Sequence, residues 1–204
     1  MFCENYAQYV SLLEKRAYTV HTAQNGAQAK VIALDIIGNG SVGFGGSMTV
    51  ANLNIYEELK ARGGTAFKHM TSIGEPEWQP DRDALRADYY LCSTNAITMH
   101  GELVNIDGTG NRIAGMIFGP HRVILIIGKN KLAADIPAAI DRIKSIACPL
   151  NARRLGYNTP CAITGKCGNC SAPQRICRVT SIIEYPPKHI EQFHLILVDE
   201  ELGY

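Results

Sequence analysis

The apolar run Val123-Ile124-Leu125-Ile126-Ile127 is the longest in the chain, and it limits the fold more than any other feature. It is far too short to cross a membrane as a helix and suits a buried strand. Around it, strand-like and helix-like stretches alternate. Tyr6, Val10, Leu13 and Ala17 recur at helical spacing before the strand-like Tyr18-Thr19-Val20, and residues 24–37 are helical in pattern up to the stop signal Gly38-Asn39-Gly40. Ser41 to Phe44 reads as a strand entering the glycine-rich Gly45-Gly46-Ser47-Met48-Thr49, and Leu53, Tyr56 and Leu59 mark the helix beyond it. Thr65 to Lys68 is strand-like, Gly74 to Pro80 a loop, and Asp81 to Arg86 a short helix. Ala87 to Cys92 is a second core strand, with a short helix predicted over Arg112 to Phe118. Asp135 to Ala147 carries Pro137 in its first turn and Ile136, Ile140, Ile143 and Ala147 on one face, while Val179 to Glu184 and His194 to Val198 are late strands. Such alternation predicts an α/β fold, a three-layer open sheet that is mainly parallel, in a single domain over 1–204 with a cysteine-rich loop at about 160–178.

Four cysteines within that loop, Cys161, Cys167, Cys170 and Cys177, are spaced C-x5-C-x2-C-x6-C. Thiolates repel one another at close range, so the spacing points to a cation that neutralises them, either zinc or an iron-sulfur core. Between positions 151 and 188, six basic residues (Arg153, Arg154, Lys166, Arg175, Arg178, Lys188) face one acid, Glu184, and offset the charge left by four thiolates. Two disulfides are the competing reading. Met1-Phe2-Cys3-Glu4-Asn5 shows no basic segment followed by an apolar one, so a cytoplasmic, reducing setting is expected, and seven cysteines make an odd count. Cys92 and Cys148 read as small buried hydrophobes. With 20 Lys+Arg against 19 Asp+Glu, no global charge points to nucleic acid, and no run points to a membrane.

Two polar segments look like a ligand site. Gly43 to Thr49 connects a strand to a helix, so its backbone N–H groups and hydroxyls converge on a helix N-terminus suited to an anion. It lacks the Gly-Lys-Ser/Thr ending of a P-loop. The second segment, Ser93 to Arg112, begins where a core strand ends and stops where a helix starts, the usual ligand position in open α/β sheets. Its many polar side chains must face a cavity, solvent or one another. A plainer reading makes it a hydrogen-bonded hairpin with Asp107-Gly108 as the turn and Thr109 as a helix cap. His69, His100, His121 and His194 show no metal spacing with a partner, and only His100 falls inside this segment.

Gly45-Gly46-Ser47-Met48-Thr49, Asn95-Ala96-Ile97-Thr98, Gly101 to Arg112 and Asn151-Ala152-Arg153-Arg154-Leu155 together closely resemble the LUD-domain family of lactate utilisation proteins. The resemblance covers nearly the whole chain, and its fold is similar to that of the ribose-5-phosphate isomerase and CoA-transferase superfamily. It implies a role in systems that oxidise L-lactate to pyruvate alongside iron-sulfur partner proteins. Related isomerases place an acid just after the strand, whereas Ser93-Thr94-Asn95 offers an amide that cannot exchange a proton as a carboxylate does. Glu102 and Asp107 are therefore the candidate acid/base groups. Gly45, Gly46, Ser47, Thr49, Asn95, Asn105, Gly108, Thr109, Asn111 and Arg112 are the candidate ligand contacts, with the Arg112 fork suited to a carboxylate or phosphate.

Three readings follow. The chain is a redox-linked lactate utilisation component that binds a small anionic metabolite and carries a 4Fe-4S cluster on the four cysteines. Alternatively it is an isomerase- or transferase-like enzyme using Glu102 with structural zinc, or a non-catalytic scaffold for the other lactate-oxidation components. Uneven cysteine spacing favours the cluster, because zinc sites commonly pair two short knuckles and here only Cys167 and Cys170 form one.

Overall fold

The computed structural model of the chain describes residues 2, 3, 5–69 and 78–204, so most of the loop expected over Gly74 to Pro80 lies outside the described residues. The first half runs α1 (Tyr6–Lys15), β1 (Thr19–Ala23), α2 (Gly26–Ile37), β2 (Val42–Phe44), α3 (Met48–Ala51), α4 (Ile55–Ala61), β3 (Ala66–Lys68), α5 (Gln79–Ala84) and β4 (Tyr89–Cys92). Then come β5 (Ala96–Thr98), β6 (Leu103–Asp107), α6 (Asn111–Ile117), β7 (Arg122–Gly128), β8 (Leu132–Ala133), α7 (Ile136–Arg142), α8 (Cys148–Arg154), α9 (Pro160–Thr164), β9 (Val179–Ile183) and β10 (Gln192–Val198).

Six strands form one sheet in the order β1-β10-β7-β4-β2-β3, and every pairing in it is parallel. Side chains alternate across a strand, so β7 sends Val123, Leu125 and Ile127 into one core and Ile124 and Ile126 into the other. The first core is closed by α1 through Tyr9 and Leu13 and by α6 through Ile113 and Met116. The second is closed by α2 through Ala29, Ala33 and Ile37, and by Val50, Ile55 and Leu59. Helices therefore cover both faces, which is the three-layer α/β arrangement. Asn25 starts α2 by accepting from Gln28 N at 2.9 Å, and Gly38 ends it at φ 54°.

A second sheet, in the order β8-β5-β6-β9, takes β5 and β6 from the polar middle segment, as the hairpin reading expects, and β9 from the expected late strand Val179 to Glu184. Its turn falls at Met99 to Gly101, with Gly101 at φ 93°, and not at Asp107-Gly108 as the hairpin reading expects. Asp107 instead sits at the end of β6 and receives the N–H groups of Thr109 and Gly110 at 3.1 Å each and that of Ile113 at 3.4 Å, so the acid, rather than Thr109, caps α6. Ile97, Leu103 and Ile183 join the first core, while Ala96, Val104 and Ile106 pack under α7.

The helix expected to end at Ala147 continues to Arg154. Residues Ile143–Ala147 form a π-helical turn between α7 and α8. That turn accommodates Pro149, which has no N–H to give to an α-helical ladder.

Candidate functional site

Because the large sheet is parallel, its carboxyl ends lie along one edge, and they bring together residues distant in sequence. Gly45 to Ser47 follow β2, Lys68 and His69 close β3, Ser93 to Asn95 follow β4, and Lys131 follows β7. With α6, α8 and the segment 173–178 they line a cavity of about 660 Å³, within the ~300–1,000 Å³ range of small-molecule sites. The glycine loop and the middle motif thus share one pocket. Among the expected contacts, Gly45, Gly46, Ser47, Thr49, Asn95, Asp107, Gly108, Thr109, Asn111 and Arg112 line it, whereas Asn105 and Glu102 do not.

Arg112 holds the middle motif in shape. Its terminal nitrogens donate to Ser93 O (3.3 Å), Asn105 Oδ1 (3.1 Å), Asn95 Oδ1 (2.8 Å) and Ile106 O (2.9 Å), and its Nε lies 3.7 Å from Asp107 Oδ2. Its donors are committed inside the protein, so the fork is not free for a substrate as the sequence suggests. A Cβ on Gly45 would come within 2.8 Å of the Tyr90 hydroxyl and 3.2 Å of Arg112 Cγ, which explains why glycine occupies the point where the two motifs meet. Thr49 is equally occupied: its hydroxyl donates to Leu202 O at 3.1 Å and receives Lys131 Nζ at 2.8 Å.

Asn105 is fully buried beneath the pocket; its Oδ1 receives Thr94 Oγ1 and Asn95 N, while its Nδ2 has no hydrogen-bond partner among the described residues. Glu102 lies at the β5–β6 turn, bonded to the Thr98 hydroxyl and 3.4 Å from Arg16. Burial pushes its carboxyl up, but Thr98, its own backbone N–H and Arg16 outweigh that and hold it below the usual range. The expected acid/base pair is therefore split, with only Asp107 at the cavity and that carboxylate engaged as a helix cap.

The cavity's other polar groups escaped sequence reasoning. Lys131 is 3% exposed, and donates to Thr49 Oγ1 (2.8 Å), Ser93 Oγ (2.9 Å) and Thr94 O (3.2 Å). Burial, reinforced by the nearby Arg112 and Arg142, lowers it from 10.5 to about 7. His69 lies against Gly46, with Nδ1 2.8 Å from Asp81 Oδ1, and the same oxygen receives Asn111 Nδ2 at 2.7 Å. A lone histidine with no spaced partner carries no signal in the sequence. Here its partner is an acid delivered by α5 across the pocket wall.

Arg154, Arg175 and Arg178 also line the cavity. Lys68 is balanced by Glu57 at 3.1 Å and Arg112 by Asp107, but Lys131, Arg154, Arg175 and Arg178 have no carboxylate partner among the described residues. The wall is electropositive and suits an anion.

Cys161, Cys167, Cys170 and Cys177 line a second, smaller cavity with Lys144, and Arg175 and Ile176 border both cavities. Arg175 pins the cysteine loop by donating to Cys170 O at 2.7 Å and Cys177 O at 3.1 Å. Among the described residues, no three His, Cys, Asp or Glu side chains converge closely enough to hold a metal ion. Cys148 is buried, as expected, but it is more than core filling. It lines the large cavity, and its sulfur lies 3.3 Å from that of Cys177. The Cys148 contact, with help from Arg175 and Lys144, draws the Cys177 thiol down, while the same contact and burial push Cys148 up.

None of the curated proteins compared with the chain matches it in sequence. Among solved structures, a DUF162 family protein from Deinococcus radiodurans is similar over 96% of this chain and 99% of its own, with a TM-score of 0.55 and 12% identity, a likeness of fold alone. The LUD domain matches residues 6–198. That match takes in both pocket motifs and the cysteine loop, and the chain belongs to the LUD-domain family.

Proposed function

We propose that the chain is a redox-linked component of L-lactate oxidation to pyruvate, which binds a small carboxylate or phosphorylated anion in the large cavity and carries a 4Fe-4S cluster on Cys161, Cys167, Cys170 and Cys177. The observation that carries this reading is the shared wall: Arg175 and Ile176 border both the electropositive cavity and the cysteine cavity. Oxidation of a 2-hydroxy acid releases two electrons and two protons, and a one-electron centre one wall away would give those electrons a route toward iron-sulfur partner proteins.

The donor set fits such a centre. Four thiols line one cavity, and Lys144 and Arg175 supply compensating positive charge. What favours a cluster over zinc is the uneven spacing of the four cysteines, in which only Cys167 and Cys170 form a short knuckle. When bound, the cluster would supply one-electron chemistry. The chain's own residues do the rest: Lys131, Arg154, Arg175 and Arg178 attract the anion, Arg112 fixes the pocket wall, and the buried floor limits water.

Calorimetric titration with L-lactate, pyruvate and inorganic phosphate tests the binding half of the proposal. At least one of them should bind, and Lys131→Met should weaken it about tenfold, or ~1.4 kcal/mol, while Glu102→Gln leaves it unchanged. No binding of any of the three would contradict it and favour a scaffold.

A further inference from the structure

Cys148 is the one thiol in contact with both functional elements. It opens α8 directly after the π-helical turn, lines the large cavity, and touches Cys177 on the border of the small one. A π turn inserts one residue per turn relative to an α-helix, and such turns recur where a helix must present a particular side chain. Here the displaced register sets Cys148 Sγ 3.3 Å from Cys177 Sγ, while Cys177 stays half-buried and reachable. Cys92, which is fully buried, has no cysteine in hydrogen-bond contact among the described residues.

We infer that Cys148 and Cys177 form an oxidative modification site: a dithiol that closes reversibly to a disulfide when peroxide reaches Cys177 through the small cavity that it lines. In the first step the Cys177 sulfur attacks one peroxide oxygen, the O–O bond breaks, hydroxide leaves, and Cys177 becomes a sulfenic acid. In the second, the Cys148 sulfur attacks the Cys177 sulfur, the S–O bond breaks, and the oxygen leaves as water with the thiol proton. Two thiols are oxidised by two electrons, and one hydrogen peroxide is reduced to two waters. Because Cys177 is also one of the four proposed cluster ligands, closure takes that ligand away, so the same site would report oxidant to the metal centre. Cys148 thus acts as a resolving thiol that spares Cys177 from irreversible oxidation.

The inference rests on thiol geometry and not on the identity of the metal, so it and the proposed function fail separately. The full chain, stripped of metal with a chelator under argon, is exposed to hydrogen peroxide, alkylated, digested and mapped by mass spectrometry, with iron and sulfide counted on the untreated sample. The expected result is a dithiothreitol-reversible cross-link between the Cys148 and Cys177 peptides. In Cys148→Ser and Cys148→Ala that link should be gone and Cys177 sulfinic acid should rise at least tenfold. Cys148 left fully alkylatable in the wild type, or Cys177 linked to Cys161, Cys167 or Cys170 instead, would overturn the inference whatever the iron count.

Discussion

Lys131 Nζ donates to the Thr49 hydroxyl at 2.8 Å, tying the turn after β7 to α3 across the floor of the large cavity. The contact places a buried cation beneath the anion site with no carboxylate against it among the described residues. Held at about 7 rather than 10.5, Lys131 binds fewer protons folded than unfolded between those limits. Stability must therefore rise with pH across that window and carry its full cost below it, on the order of 4–5 kcal/mol. The melting temperature of the wild type should climb from pH 7 to 10 relative to Lys131→Met, and parallel curves for the two would contradict this.

Anion binding should reverse that shift. A carboxylate or phosphate above Lys131 favours its charged form, so binding at pH 8 should take up protons. Titrations in buffers of different ionisation enthalpy read this directly; uptake near one proton in the wild type and near zero in Lys131→Met is the expected pair of results.

Arg112→Ala should unravel the middle motif rather than merely weaken a ligand. The change takes the Arg112 donors from Ser93 O and Ile106 O, and one of several donors from each of Asn95 Oδ1 and Asn105 Oδ1, a loss of about 3–5 kcal/mol, or roughly a 10 °C fall in melting temperature. Arg112→Lys should not restore it, since an ammonium cannot span four acceptors. A melting temperature within a degree or two of the wild type would show that the fork is dispensable.

His69 should carry its proton on Nδ1 when neutral, because that nitrogen faces Asp81 at 2.8 Å. Nitrogen chemical shifts of the imidazole test the tautomer, and Asp81→Asn should disturb it. A dominant Nε2-protonated form in the wild type would argue against an orienting role for Asp81.

Acid should loosen the opposite side of the sheet. His194 is drawn down from 6.5 to about 4 by burial, by His21 at 3.1 Å and by Arg122, and burial lowers His21 as well. A histidine held neutral in the fold costs stability as pH falls below its unfolded value, so stability should decline from about pH 6.5 toward 4. His194→Gln should flatten that limb of the melting curve.

The large sheet was legible because its strands are apolar on both faces, as Val123 to Ile127 shows, and because glycine signals such as Gly38 and Gly45 mark where elements stop. The small sheet was legible only in its late strand β9 and, for β5 and β6, as the hairpin alternative. Asn95, Thr98, Glu102, Asn105 and Asp107 satisfy one another or nearby backbone, so polar residues that look like a loop in sequence form buried strands and their caps. Position in a pocket was legible for the glycine loop, where the chain itself sets the geometry. It was not legible for Lys131, His69 or Asp81, because only strand order brings them together. Cys148 is buried as read, but its contact with Cys177 was not legible, since that partner comes from a loop 29 positions later.

The most direct test of the account is the iron and acid-labile sulfide content per chain after anaerobic purification. The account predicts about four of each per chain, with visible absorption that disappears in Cys→Ser variants at Cys161, Cys167, Cys170 and Cys177 but survives Cys92→Ser. Stoichiometric zinc without sulfide, or a chain that holds neither metal, would contradict it.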